Sequence, residues 1–292
     1  MTTVGLGLIS GLATATTIKT SLEVQTSYQD ATENAMRTQD LKRGGIVAGL
    51  QTQNFFLKVG VRTENGKTNI GSLGSTHFWS NQYSVLLGYK LPRLTVYGLF
   101  GRGYSNRKGI DKGYLGGIGI QKEFLGWKGD AFLSYYKPAD NYSFYRWELD
   151  LKATHEFGNG FEITPELIAE YQGEDIYVSD KGIKGYAKLK LAREFQTQYG
   201  KFKPYIFGGV GKITAWQEGL FSEDTKRAKE GEIGAGLNCE FGRVKLSLSG
   251  AYEWWKDLNS DETVSQSLKQ GKLVVITDTT GGAVNLSLSI GF

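Results

Sequence analysis

The residues with the chemical capacity to act are few and scattered. His77 and His155 are the two histidines and Cys239 the single cysteine. The carboxylates Glu148, Asp150, Glu162, Glu166 and Glu170 interleave with the bases Arg146, Lys152, Lys184, Lys188 and Lys190. A histidine set against a nucleophile would suit hydrolysis, and paired carboxylates would suit acid–base chemistry, if the fold brought them together. His77 falls in a long polar stretch, expected to be a loop, and His155 sits beside Glu156, Phe157 and the Gly158 turn. Both read as polar groups at an interface. Two histidines and one cysteine give no transition-metal spacing, the carboxylates lack the spacing of a calcium loop, and no glycine-rich phosphate loop has the strand-to-helix context it needs. No cofactor, metal or enzymatic activity is expected. The interleaved charges read instead as a lattice of ion pairs lining hydrated space, which a water-filled lumen tolerates and a dry core does not.

The elements that must carry these side chains are strands. The stretch Gly282 to Phe292 puts Val284, Leu286, Leu288, Ile290 and Phe292 on one parity and Ala283, Asn285, Ser287, Ser289 and Gly291 on the other. This is the two-residue period of a strand with one apolar face. The same alternation runs through almost the whole chain. Tyr145, Trp147, Leu149, Leu151 and Ala153 oppose Arg146, Glu148, Asp150, Lys152 and Thr154. Ile233, Ala235, Leu237, Cys239 and Phe241 oppose Glu232, Gly234, Gly236, Asn238 and Glu240. Cys239, on an apolar parity, reads as a packing residue.

Connections alternate between short and long. Tight turns are expected at Gln53-Asn54, Pro92-Arg93, Leu125-Gly126, Gly158-Asn159-Gly160 and Gly242-Arg243. Between them lie polar stretches read as loops: Gln29 to Arg43, Glu64 to Phe78, Ser105 to Lys112, Gly173 to Lys181, Gln217 to Lys229 with room for a helical turn, and Lys256 to Thr280. The last contains Leu273 to Ile276, an apolar run that would extend the final hairpin or fold into a pore mouth. Pro165 within a strand predicts a local irregularity. The count is about fourteen strands, with twelve or sixteen as the alternatives.

Composition narrows the architecture. Forty Gly, four Pro, sixteen Tyr, fifteen Phe and six Trp make a glycine- and aromatic-rich chain, and no apolar run is long enough for a membrane helix. Only helices and closed barrels satisfy every backbone hydrogen bond in lipid. A soluble sandwich or barrel also alternates, but it packs its apolar face inward, and fourteen strands enclose a space too wide for side chains to fill. The apolar face is therefore assigned to lipid and the charged face to water. Aromatics near strand ends, among them Phe55, Trp79, Phe124, Trp127, Phe157, Phe161, Phe241 and Trp254, suit the two headgroup levels. The fold class expected is all-β, an antiparallel up-and-down transmembrane barrel. Net charge is +4 without a basic block, so nucleic acid is not an expected partner, and a single cysteine leaves no internal disulfide.

A chain that ends on such a strand and on Phe292 resembles the Gram-negative outer-membrane β-barrels, whose last strand carries the sorting and insertion signal. Leu288, Ile290 and Phe292 are the matching positions, and Ser287 stands near where those proteins usually have Gly. The resemblance covers the chain from about Thr17 and is closest in architecture to monomeric fourteen-stranded porins. It implies residence in the bacterial outer membrane with both termini periplasmic. Membrane lipid, lipopolysaccharide and the barrel-assembly machinery are then the partners, and passive diffusion of small hydrophilic solutes or ions the function. Fatty-acid transporters of similar strand number carry a plug before the first strand, for which about sixteen residues are too few. A non-conducting surface barrel whose loops bind a partner is the alternative, and an outer-membrane hydrolase is further off.

The residues expected to line the pore are Lys58, Arg62, Lys90, Arg146, Glu148, Asp150, Lys152, Glu162, Glu166, Glu170, Lys184, Lys188, Lys190, Glu232, Lys245 and Glu253. Both signs are present, which predicts weak selectivity. Residues 1–15 read as a signal-peptide remnant ending in Ala13-Thr14-Ala15, or as a short periplasmic extension, and 16–292 as the barrel.

Overall fold

The computed structural model describes residues 18–33, 37–70, 75–105, 112–138, 145–173, 179–218, 223–257 and 279–291. Its strands are β1 (Lys19–Glu33), β2 (Arg37–Gln51), β3 (Phe55–Ile70), β4 (Ser75–Leu91), β5 (Leu94–Ser105), β6 (Lys112–Phe124), β7 (Trp127–Pro138), β8 (Arg146–Glu156), β9 (Phe161–Gln172), β10 (Ser179–Arg193), β11 (Phe195–Thr197), β12 (Gly200–Glu218), β13 (Glu223–Phe241), β14 (Val244–Asp257) and β15 (Thr279–Gly291). Each pairs antiparallel with its sequence neighbour, and β1 closes the ring against β15. The fifteen strands described form fourteen staves, because β10 and β11 pair with consecutive parts of β12 and differ only by the break at Glu194. The fold class and the stave count read from the alternation are those observed.

Closure follows from the pattern. Each stave presents a continuous apolar face, and in an open sheet its two edges would leave a full row of backbone donors and acceptors unpaired. Pairing Ser21 through Glu33 with Gly291 through Thr279 removes both edges at once. Tight turns set the register at one end. Leu125 and Gly126 both take positive φ, 48° and 78°, the mirror-image turn whose twist matches a hairpin. Gly160, in the predicted Gly158-Asn159-Gly160 turn, has φ 78°, and the Asn159 carboxamide oxygen accepts from Phe161 N at 3.1 Å.

The apolar parity lies on the outside. Ile118, Val210, Ile233 and Ile206 keep 68%, 65%, 61% and 60% of their surface exposed, an arrangement unfavourable in water and suited to hydrocarbon. The polar parity faces inward, and contacts across it show the concavity. Tyr97–Asp130, Glu162–Lys203, Lys184–Glu230 and Lys188–Glu232 each step over a whole intervening stave. Such partners start about 10 Å apart along the sheet and meet because inward side chains converge.

Several boundaries differ from the reading of the sequence. The polar stretches Gln29 to Arg43, Glu64 to Phe78 and Gln217 to Lys229 are largely strand: β1 runs to Glu33, β2 begins at Arg37, β3 and β4 meet across Asn69 and Ser75, and β13 begins at Glu223 with no helical turn among its described residues. Over these stretches the apolar–polar period fades from the sequence while the hydrogen-bonded ladder continues. His77 accordingly sits on β4, opposite Lys67, and not in a loop. Strand β8 begins at Arg146, and a break at Glu194 separates β10 from β11. The irregularity expected at Pro165 is present: the β8–β9 ladder passes from Lys152↔Glu166 to His155↔Ile163, as a residue without an N–H requires. The Leu273 to Ile276 run, Phe292 and residues 1–17 lie outside the described residues.

Candidate functional site

The interior divides into a sealed side and an open side. The sealed side spans β9 to β13, where inward rings lie across inward glycines. Tyr186 covers Gly209, Phe207 covers Gly234 and Tyr205 covers Gly236, at each of which a Cβ would collide with the ring. Cations then stack on the rings: Lys188 Nζ is 4.3 Å from the Phe207 centroid, Lys190 is 5.4 Å from Tyr205, and Lys184 is 5.6 Å from Tyr186. Each also reaches a carboxylate. Lys184 meets Glu230 at 2.8 Å, Lys188 meets Glu232 at 2.7 Å, and Lys190 meets Glu162 at 3.3 Å, with Lys203 on the other oxygen of Glu162. The Glu162 side chain retains only 7% exposure, which two cations on separate staves make tolerable.

The acidic wall is β7 to β9. Glu148 stands directly opposite Glu170, and Lys152 is flanked by Asp130 on one side and Glu166 on the other. Asp150 lies between Phe132 and Ile168, and its Oδ1 has no hydrogen-bond partner among the described residues. Asp130 accepts from Tyr97 Oη at 2.6 Å and from Gln121 Nε2 at 2.8 Å. Arg146 lies 5.8 Å from the Tyr136 ring centroid.

The open side spans β14, β15 and β1 to β6. A cavity of about 480 Å³ is lined by Arg43, Arg62, Gln25, Ser84, Leu99 and Ser247, among others. Below it, toward the tight turns, a cavity of about 380 Å³ contains Lys58 and Lys90 with Phe56 and Tyr97. A third of about 570 Å³ shares Lys90 and Gln121 with the second and opens among Pro92, Lys122, Lys128 and Thr154. Arg43 pairs with Glu64 at 2.8 Å, and no carboxylate lines the two upper cavities. These two cavities are therefore basic, whereas the third, which reaches β7 and β8, mixes Lys90, Arg93, Lys122, Lys128 and Lys152 with Glu123 and Asp130.

Of the residues picked from the sequence, Lys184, Lys188, Lys190, Glu162 and Glu232 come together in one lattice, and Lys58, Arg62 and Lys90 line cavities. Lys245 pairs with Glu240 near the tight turn at 3.4 Å, and Glu253 faces Glu232 across the ladder. Leu288 and Ile290 lie on the outer parity, Leu288 between Val24 and Leu246 and Ile290 between Leu22 and Val244. Sequence reasoning passed over Glu230, Lys203, Asp130, Tyr97 and Arg43. Inward parity was the signal available for all of them, but Arg43 fell in a stretch read as a loop and Glu230 immediately after one. His155 is on the outer side of the tight-turn end, its Nδ1 3.0 Å from Gly126 O and its ring between Trp127 and Phe157. His77 is at the other end, so the two histidines share no site. Among the described residues no three or more of His, Cys, Asp and Glu are placed to hold a metal ion.

No family model matches the chain, and no curated protein matches it. Solved structures do. The β domain of the Bordetella autotransporter BrkA aligns at TM-score 0.52 and 12% identity, covering 94% of this chain and 99% of that one. A bacterial polysaccharide outer membrane secretin aligns at 0.52 and 11%, covering 94% and 98%. A loop-deleted OmpT, an outer membrane protein of Vibrio cholerae, aligns at 0.51 and 8%, covering 96% and 100%. The chain has the fold of the bacterial outer-membrane β-barrels. At these identities the likeness concerns the fold alone.

Proposed function

We propose that the protein is a porin-like channel of the outer membrane, without enzymatic activity, that passes small hydrophilic solutes by diffusion, with the tight turns in the periplasm and the long hairpins outside. The observation that carries this reading is the run of cavities down the β1–β6 side, lined by Arg43, Arg62, Lys58 and Lys90. Fourteen staves enclose more space than inward side chains fill, and here the rings and ion pairs of β9 to β13 occupy one side only. The excess positive charge of Arg62, Lys58 and Lys90 along the remaining path raises the local concentration of anions, so small anions pass in preference to cations. The test is planar-bilayer recording of the purified protein: stepwise conductance with an anion-selective reversal potential is expected, and a silent, correctly folded barrel refutes the channel.

A further inference from the structure

On the outer face, where β12, β13 and β14 leave the apolar belt, three lysines stand in one row. Lys212 is directly opposite Lys229, and Lys229 is directly opposite Lys256. All three are exposed, and Arg227, also exposed, occupies the next outward position along β13. Like charges placed opposite one another weaken a ladder. None of the four takes part in the ion pairs found among the described residues. Arg102, a cation on the outer face of β5, differs in being stacked on Tyr104 and Tyr114 at 5.1 and 5.3 Å.

The rows immediately below are apolar. Val210, Gly231 and Trp254 form the next row toward the tight turns, with the Trp254 ring lying over Gly231. Ile233 and Tyr252 follow, Tyr252 stacking on Trp254 at 6.3 Å. Three cations spaced by one strand separation span about 10 Å, so the group that relieves their repulsion carries more than one negative charge. The ring-covered hydrocarbon surface beneath them calls for acyl chains on the same molecule.

We propose that Lys212, Lys229 and Lys256, with Arg227, bind the phosphates of a multiply phosphorylated glycolipid whose acyl chains lie against Trp254, Tyr252 and Ile233. The proposal rests on the reading above that the long-hairpin end faces the glycolipid leaflet. Ammonium groups meet phosphate oxygens through charge-assisted hydrogen bonds, and each cation close to an anionic lipid surface adds to retention.

The test is native mass spectrometry of the full-length refolded barrel after exchange against lipopolysaccharide, its enzymatically dephosphorylated form, or phosphatidylglycerol. The wild type is expected to retain lipopolysaccharide, and the K212Q/K229Q/K256Q variant to lose it by about tenfold or more. The variant with arginine at the same three positions keeps it, and so does R243Q/K201Q at the tight-turn end. Equal retention by the glutamine variant, or of dephosphorylated lipopolysaccharide or phosphatidylglycerol by the wild type, overturns the proposal. Heat-modifiable gel mobility checks folding, and should the glutamine variant fail it, the single K229Q variant is carried through the same comparison. Binding in detergent depends on neither membrane orientation nor conductance, so failure here is distinct from failure of the channel reading.

Discussion

Lys188 on β10 places its Nζ 2.7 Å from Oε1 of Glu232 on β13, crossing β12 at Gly209, the residue paired with both of them. The crossing exists because Gly209 has no side chain, and the Tyr186 ring fills the space that remains. Gly209→Val is therefore expected to destabilise the barrel by about 1–3 kcal/mol through overpacking. The neighbouring Gly208 points outward, and a Cβ there meets nothing closer than Glu232 O at 3.5 Å, so Gly208→Val should be neutral or better. Urea unfolding in lipid vesicles measures both, and equal losses would refute the assignment of the two faces.

Ser247 and Leu248 give the same contrast on β14. Ser247 hydrogen-bonds Asn238 at 2.7 Å and borders the cavity lined by Arg43 and Arg62, whereas Leu248 is 49% exposed on the lipid side. Arginine at Leu248 should cost about 2–4 kcal/mol, as a charge near the bilayer midplane does, and arginine at Ser247 well under half of that. The same vesicle assay decides, with heat-modifiable gel mobility as a check on insertion.

These contrasts were legible in the sequence because parity is a property of the strand itself. Leu248 and Ser247, or Leu149 and Asp150, are assigned to opposite faces by a period of two without knowledge of any neighbour. The strand extensions were not legible. Thr38, Asn65 and Lys226 lie in strand segments rich in polar residues on both parities, and there the pattern that marks a strand carries no contrast. Nor was the choice of ion-pair partners legible. Glu162 pairs with Lys203 because two staves separated by forty residues of sequence converge across β10, a matter of ring closure that local spacing does not encode. The filling of the lumen beside β9 to β13 has the same origin: it depends on which inward lysines and carboxylates of separate staves meet, as Lys188 meets Glu232.

Glu162 holds Lys190 and Lys203 together from a position almost closed to water. Glu162→Gln leaves two cations facing each other with no carboxylate between them. Complete burial would make such a loss worth about 3–5 kcal/mol, but the lysines keep 27% and 22% of their side-chain surface, so a loss of about 1–3 kcal/mol is expected. Adding Lys203→Met should restore much of it. A double-mutant cycle measures the coupling, and strict additivity would show that the pair contributes nothing.

Orientation is tested by Lys67→Cys, opposite His77 at the long-hairpin end, and Asn159→Cys in a tight turn. A membrane-impermeant maleimide applied to intact cells should label the first and spare the second. The reverse pattern would invert the topology.

Selectivity provides the sharpest test of which side of the lumen conducts. If solutes follow the cavities lined by Arg62, Lys58 and Lys90, removing positive charge there must reduce the preference for anions, because the field in a narrow low-dielectric passage is set by the charges lining it. Arg62→Gln combined with Lys58→Gln is expected to move the zero-current potential in a tenfold salt gradient toward cation preference. Glu148→Gln combined with Glu170→Gln changes the charge by the same amount at two positions that line none of these cavities. It should shift the potential in the opposite direction and by less than half as much. High salt screens both effects, so the comparison belongs near 0.1 M, where the Debye length is about 10 Å. A larger response from the acidic wall than from the basic one would place the conducting path along β8 and β9 and refute the open side described here.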